Sequence, residues 1–288
     1  MLAQQIINGI TQGSLFALLA ISFAIVYGTL RLVNFATGSL YMIGAYTSFY
    51  VVRHVSSNLF VSLAIAAVVG FVMGLILERL AFKSLRGVSR IASLICTIGF
   101  SLFLNELAAV VFGRETRVMP SVHTGTAFRI AGTNIIWLQV IMILVAAVIV
   151  IGLQLLLFKT KMGLSIRAVS LDYKTAGLMG INVDRTISFA FGLASACAGV
   201  AGVLAAFYYN SVFPVMGTLP GLKSFSAAVF GGLTSIPGAI LGGYLLGVIE
   251  NLAVQVISSG YRDIVGFIIL VVFLLVRPRG LLGRKIPM

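Results

Sequence analysis

The sequence predicts an all-α fold, a polytopic helical bundle set in a lipid bilayer. Three observations carry that expectation. Of 288 residues, 60% are hydrophobic and only 9% are charged, where soluble domains carry about 25% charged residues. Apolar runs of the roughly 20 residues needed to cross a hydrocarbon core of about 30 Å recur from the first residues to Val276. Basic residues collect in the connections between those runs. No intervening stretch is long enough for a soluble domain, so residues 1–288 read as one transmembrane domain.

The elements follow in order. Met1-Leu2-Ala3-Gln4-Gln5 has no basic segment, and the apolar run behind it outlasts a signal-peptide core, so the first helix is expected to be retained. Runs near 6–28, 38–53, 59–78, 91–112, 135–158 and 187–208 follow. The chain is then outside at Asn210, and the last apolar run, to Val276, must end inside at Arg277, so Leu222–Val256 between them must cross an even number of times. Its natural break is Ser235-Ile236-Pro237-Gly238, since Pro ends a helix and Gly permits a turn. About nine crossings result, with interrupted helices among them, or eight if one segment is re-entrant.

The net charge of +13 does not point to nucleic acid, because the basic residues are neither gathered on one face nor interleaved with stacking aromatics. They crowd three connections: Arg79, Lys83, Arg86 and Arg90; Lys159, Lys161, Arg167, Lys174 and Arg185; Arg277, Arg279, Arg284 and Lys285. Lysine and arginine mark cytoplasmic loops. All three connections and the C-terminus are therefore expected inside, and parity places the N-terminus and the connection Gly113–Asn134 outside.

Enzyme signatures are missing. There is no HExxH, CxxC or GxSxG and no acid pair at catalytic spacing in a polar loop. Gly217–Ser224 imitates a phosphate loop, but its glycine spacing is one residue short and Leu222 separates Gly221 from Lys223. Any ATPase must be another chain. Cys96 and Cys197 lie in apolar runs without paired spacing and read as small buried hydrophobes. Gly70 and Gly74, Gly238 and Gly242, and Gly243 and Gly247 form GxxxG pairs, which let helix backbones approach closely within one protomer.

Two interruptions stand out. Tyr27-Gly28 is followed by Asn34, Phe35, Thr37, Gly38 and Ser39 ahead of a short apolar run; later, Gly231-Gly232-Leu233-Thr234 leads into Ser235. Paired interruptions, one per half, mark substrate pathways built from broken helices. Two ordinary cytoplasmic turns are the plain alternative. Among seven acids, Glu106 and Glu250 fall inside apolar runs beside Asn105 and Asn251. A carboxylate in hydrocarbon is costly, so each is either a paired structural group or a contact for a substrate ammonium. Neither has the spacing of a proton relay.

The connection 159–186 combines charge with helix signals. Ser170 is placed to cap a short helix through Leu171, Thr175 and Leu178, with Asp172 in its first turn and Gly180 at its end, before Asn182 and Asp184 open the next span. Ala176, Gly177 and Gly180 are small enough for another protein's groove to close on the backbone.

At Ala176–Arg185 the chain resembles the coupling loop of ABC-importer permeases. The flanking blocks Asn8-Gly9, Gly13–Leu18, Val33–Gly38, Phe225–Gly232, Ser235–Ala239 and Arg277–Gly283 resemble the branched-chain amino acid branch of that family. Thr37 stands where related permeases commonly carry His. The resemblance implies an inner-membrane permease that performs no chemistry and holds no cofactor, ATP and magnesium being used by its partner. It pairs with a second permease, a paralogue or itself, takes substrate from an extracytoplasmic binding protein and is driven by two cytoplasmic ATPase subunits. Ser170, Asp172, Ala176, Gly177 and Gly180 are then the ATPase-coupling residues. Asn34, Phe35, Thr37, Gly38, Ser39, Glu106, Thr234, Ser235 and Glu250 are pathway candidates. Similar permeases serve urea and short amides, which remain alternative substrates. An ion-coupled carrier and a structural scaffold are the more distant readings.

Overall fold

The computed structural model describes residues 2–83, 90–120, 125–130, 133–256, 262–277 and 280–282. Arg86, Arg279, Arg284 and Lys285 of the sequence reading lie outside the described residues. Within them run α1 (Leu2–Leu30), α2 (Thr37–His54), α3 (Leu59–Leu77) with a π-helical turn (Glu78–Phe82), α4 (Arg90–Phe112) and α5 (Trp137–Lys159). Then come α6 (Lys161–Leu171), α7 (Tyr173–Leu178), α8 (Val183–Tyr209), α9 (Thr218–Gly231), α10 (Ile236–Val256) and α11 (Arg262–Val276).

The chain is an all-α bundle with two small strand pairs added. β1 (Arg117–Val118) pairs antiparallel with β4 (Ser211–Val212), and β2 (Thr126–Ile130) with β3 (Thr133–Ile136). Neither pair was legible, because two to five residues are too few to show an alternating pattern.

Helices α1 and α8 form the centre, and α4 and α5 keep most of their surface outward. Lipid supplies no hydrophobic drive between helices, so close backbone approach supplies the contact instead. Helix α10 runs antiparallel to α1: a Cβ on Gly9 would come within 2.7 Å of Val248 Cα, and one on Gly247 within 2.4 Å of Gly13 Cα. Gly70 and Gly74 lie against Ser195 and Phe191 of α8, and Gly44 of α2 against Gly199. The GxxxG pairs are thus occupied inside one chain.

Among the described residues six helices are long and apolar enough to cross a membrane: α1, α3 with its π-turn, α4, α5, α8 and α10. Helix α9 has 14 residues and rises only about 21 Å, short of a core of about 30 Å. The expected eight or nine crossings exceed the six that length and composition mark. The remainder falls on α2, α9 and α11.

Contacts sort the connections into two ends. Gln4 and Asn134 exchange hydrogen bonds, Nε2 to O at 3.3 Å and N to Oε1 at 3.1 Å, and the β1–β4 pair ties the segment after α4 to that after α8. At the opposite end Ser188 Oγ donates to Glu78 Oε2 at 2.7 Å, and Lys83 lies 3.6 Å from Asp184. The basic connections before α4 and before α8 therefore share one end. Gly280–Leu282 folds back on the α9–α10 turn, with Leu281 N donating to Phe230 O at 2.9 Å and Leu282 N to Gly231 O at 3.0 Å.

Candidate coupling face and intramembrane polar sites

The first interruption turns back into the bundle. Arg31 takes φ +55°, and the chain then climbs to a buried Asn34, whose Oδ1 accepts from Ala36 N at 3.0 Å and whose carbonyl accepts from Thr37 Oγ1 at 2.9 Å. Irregular backbone inside a membrane protein must be satisfied locally, and Asn34 does this. Ser39 Oγ meets Ser101 Oγ at 2.7 Å and Asn105 Oδ1 at 2.9 Å. Since Ser101 lies midway along α4, α2 starts deep in the bundle.

The start of α9 meets it there. A Cβ on Gly38 would stand 2.4 Å from Gly217 O, and one on Gly221 3.2 Å from Gly38 Cα. Phe35 packs on Phe225 at 5.4 Å between ring centroids, and Phe225 on Phe23 at 5.6 Å. Neither helix start is capped by a side chain. Two positive dipole ends thus converge inside the bundle.

The structure brings Asn34, Phe35, Thr37, Gly38 and Ser39 together, but with Gly217 and Gly221 rather than with the second interruption. Thr234 and Ser235 lie in the α9–α10 turn: Thr234 is exposed, Gly232 takes φ +110°, and Ser235 Oγ accepts from Gly238 N at 3.3 Å. That is turn geometry, with Val33 and Leu233 sharing an apolar cluster around Phe225 as the link between the two segments. The i, i+4 spacing of Gly217 and Gly221 was the available signal, and the imperfect phosphate-loop pattern masked it.

The two acids separate. Glu106 is exposed and pairs with Arg114 at 3.0 Å. Glu250 is fully buried; Lys223 Nζ stands 2.9 Å from its Oε1 and 3.0 Å from its Oε2. The same ammonium reaches Asp263 Oδ1 at 2.6 Å and lies 5.7 Å from the Phe16 ring centre. Beside it Asn251 Nδ2 donates to Gln12 Oε1 at 3.1 Å. A charge in the bilayer persists when paired and hydrogen-bonded, which the cluster across α1, α9, α10 and α11 provides. Sequence reading found Glu250 and missed Lys223, because α9 was not recognised as beginning before it.

The connection 159–186 holds two helices where one was expected. Ser170 does not cap; it closes α6, its Oγ donating to Arg167 O at 2.7 Å. Asp172 is the cap of α7, accepting from Lys174 N at 2.9 Å and from Thr175 Oγ1. The Thr175 hydroxyl, with the Lys174 N–H behind it, holds the Asp172 carboxyl below the usual carboxylate range. Asp replaces Ser here because Ser170 still has helical neighbours on both sides, whereas Asp172 is extended at φ −154°.

Helix α7 ends in a Schellman arrangement: Gly180 at φ +82°, Gly180 N to Gly177 O at 3.1 Å and Ile181 N to Ala176 O at 3.2 Å. Ala176 is buried within the chain itself, while Gly177 and Gly180 are exposed. Leu178 is 89% and Met179 79% exposed, with Leu171 and Tyr173 also outward. These four apolar side chains escaped the sequence reading, which looked there for small residues. Lipid does not account for them, since Asp172, Lys174 and Thr175 of the same turn are exposed too.

Comparison with known proteins gives one family. The family described as "Branched-chain amino acid transport system / permease component" matches residues 5–276. The chain is 38% identical to the high-affinity branched-chain amino acid transport system permease protein LivH of Salmonella typhimurium, over 98% of this chain and 95% of the relative. It is 36% identical to BraD of Pseudomonas aeruginosa, described in the same words, over 98% and 95%. The autoinducer 2 import system permease protein LsrC of Yersinia enterocolitica is 28% identical over 63% and 51%. No solved structure matches. With six apolar spans among the described residues, a broken helix start in the bundle and a family match over residues 5–276, the chain is a multi-pass membrane protein that belongs to the branched-chain amino acid transport permease family.

Proposed function

We propose that the chain is the membrane-spanning subunit of an ATP-driven importer of branched-chain amino acids in a bacterial inner membrane. One observation supports the coupling part most directly: Leu171, Tyr173, Leu178 and Met179 stand exposed around capped α7 at the end that carries the basic connections. An apolar patch rimmed by polar groups marks a protein contact. The basic connections at that end support a cytoplasmic orientation, with an ATPase dimer as the partner there. The N-terminus and the β1–β4 end then face the extracytoplasmic binding protein. A second permease, paralogue or identical copy, completes the pathway. ATP-driven closure of the ATPase dimer moves α6 and α7 as a rigid unit and alternates access.

The membrane chain performs no chemistry in this scheme. Its substrate comes from the likeness to LivH and BraD, which are named for branched-chain amino acids. The chain, co-reconstituted into vesicles with its second permease, ATPase and binding protein, is expected to import leucine only with ATP. Leucine uptake by the chain without ATPase would establish an ion-coupled carrier instead, and uptake of urea in place of leucine would establish the amide branch.

A further inference from the structure

The Lys223–Glu250–Asp263 cluster has an uneven build. Glu250 has no exposure and Lys223 almost none, while the Asp263 side chain is 48% exposed. The ammonium has two carboxylate partners, one locked in the bundle and one open. Asp263 opens α11 and Lys223 lies in the second turn of α9, so the open partner belongs to the end that also holds the segments after α4 and α8.

We infer that the Lys223–Asp263 pair is a reception site for a zwitterionic amino acid. The inference rests on the amino-acid importer reading and names the residues that would take the two charged ends. A zwitterion is the class of small solute that can enter a Lys–Asp pair and leave every charge paired: its carboxylate replaces Asp263 on Lys223, and its ammonium takes Asp263. An anion would leave Asp263 without a cation, and a cation would leave Lys223 short of one carboxylate. A neutral amide or urea offsets neither. Glu250 makes the exchange tolerable, because it holds the ammonium while Asp263 lets go, so no isolated charge is left in a site of low dielectric. A charge left unpaired by the wrong solute also discriminates against that solute.

The test variant is Asp263→Asn, which keeps the buried Lys223–Glu250 pair, since removing Lys223 would strand Glu250 and endanger folding. In the reconstituted complex the variant should assemble and hydrolyse ATP in response to loaded binding protein as the wild type does, yet move about tenfold less leucine per ATP, or lower still. Asp263→Glu should restore much of the ratio. Saturation-transfer NMR on the purified complex without binding protein should show contact with leucine but not with 4-methylpentanoate or isoamylamine at equal concentration. A wild-type leucine-to-ATP ratio in Asp263→Asn, or equal contact with either half-molecule, overturns the inference while leaving the importer reading intact. A wild-type complex that imports urea but no leucine overturns both.

Discussion

At Gly38 the carbonyl of one helix start already occupies the space that any side chain on Gly217 would need, a Cβ there lying 1.8 Å from Gly38 O, and Gly217 returns the constraint: a Cβ on Gly38 would lie 2.4 Å from Gly217 O. A single methyl group at Gly38 must push the α2 and α9 backbones apart, since no side chain is present to yield. Gly38→Ala is expected to cost about 1–3 kcal/mol, read as a lower midpoint of thermal unfolding in detergent, whereas Gly99→Ala, inside α4 with open space around it, should leave the midpoint unchanged or raise it. Equal midpoints would mean that the two helix starts are not in contact. Asp172 offers a second test at this scale. Its folded pKa is lowered, chiefly by the Thr175 hydroxyl, so its capping contribution is complete above the ordinary carboxylate value of about 3.9 and fades as pH falls through the lower folded value. Protection factors of the Lys174 and Thr175 amides should hold from neutral pH down to about 4 and drop below it. Asp172→Ala should abolish that protection at every pH.

Among the elements, α7 carries the sharpest expectation. Its inner side is fixed by Ala176, its ends by Asp172 and Gly180, and its outer side shows Leu178 and Met179. Leu178→Asp should express and insert normally, because exposed substitutions shift stability by only about 0.5 kcal/mol, yet co-purify poorly with the ATPase and lose uptake. Gly177→Trp, with only Val183 Cγ2 within 4 Å of the added Cβ, fits the chain itself and should fail in the same way. Lys161→Ala is the control. Co-purification at wild-type level in both variants would remove α7 from the interface. Apolar run length made the long spans legible in the sequence, and Gly180 marked the end of α7, but α6 was not separated from it and Asp172, not Ser170, is the cap. What escaped was whatever depends on tertiary placement: the inward start of α2, the meeting of Gly38 with Gly217, and the buried Lys223, whose neighbours in sequence are ordinary and whose partners are 27 and 40 residues away.

For the whole molecule, the account is of a bundle held by backbone contact at its centre and gripped at one end. The long helices α1 and α8 are fixed by glycine crossings, the short starts of α2 and α9 meet inside, and the charged connections stand together opposite the strand pairs. Composition and charge asymmetry established the class of this architecture; the crossing number did not follow, because α2, α9 and α11 fall below the length or hydropathy of a full span. The central claim is that an ATPase seats on Leu171–Met179. Its most direct test is a photo-crosslinking amino acid placed at Leu178 in the assembled complex, with one at Phe60, exposed in the first turn of α3 at the opposite end, as comparison. The account predicts a crosslink from Leu178 to the ATPase subunit that changes in yield when ATP is bound, and none to it from Phe60. An ATPase crosslink from Phe60 and none from Leu178 would contradict it.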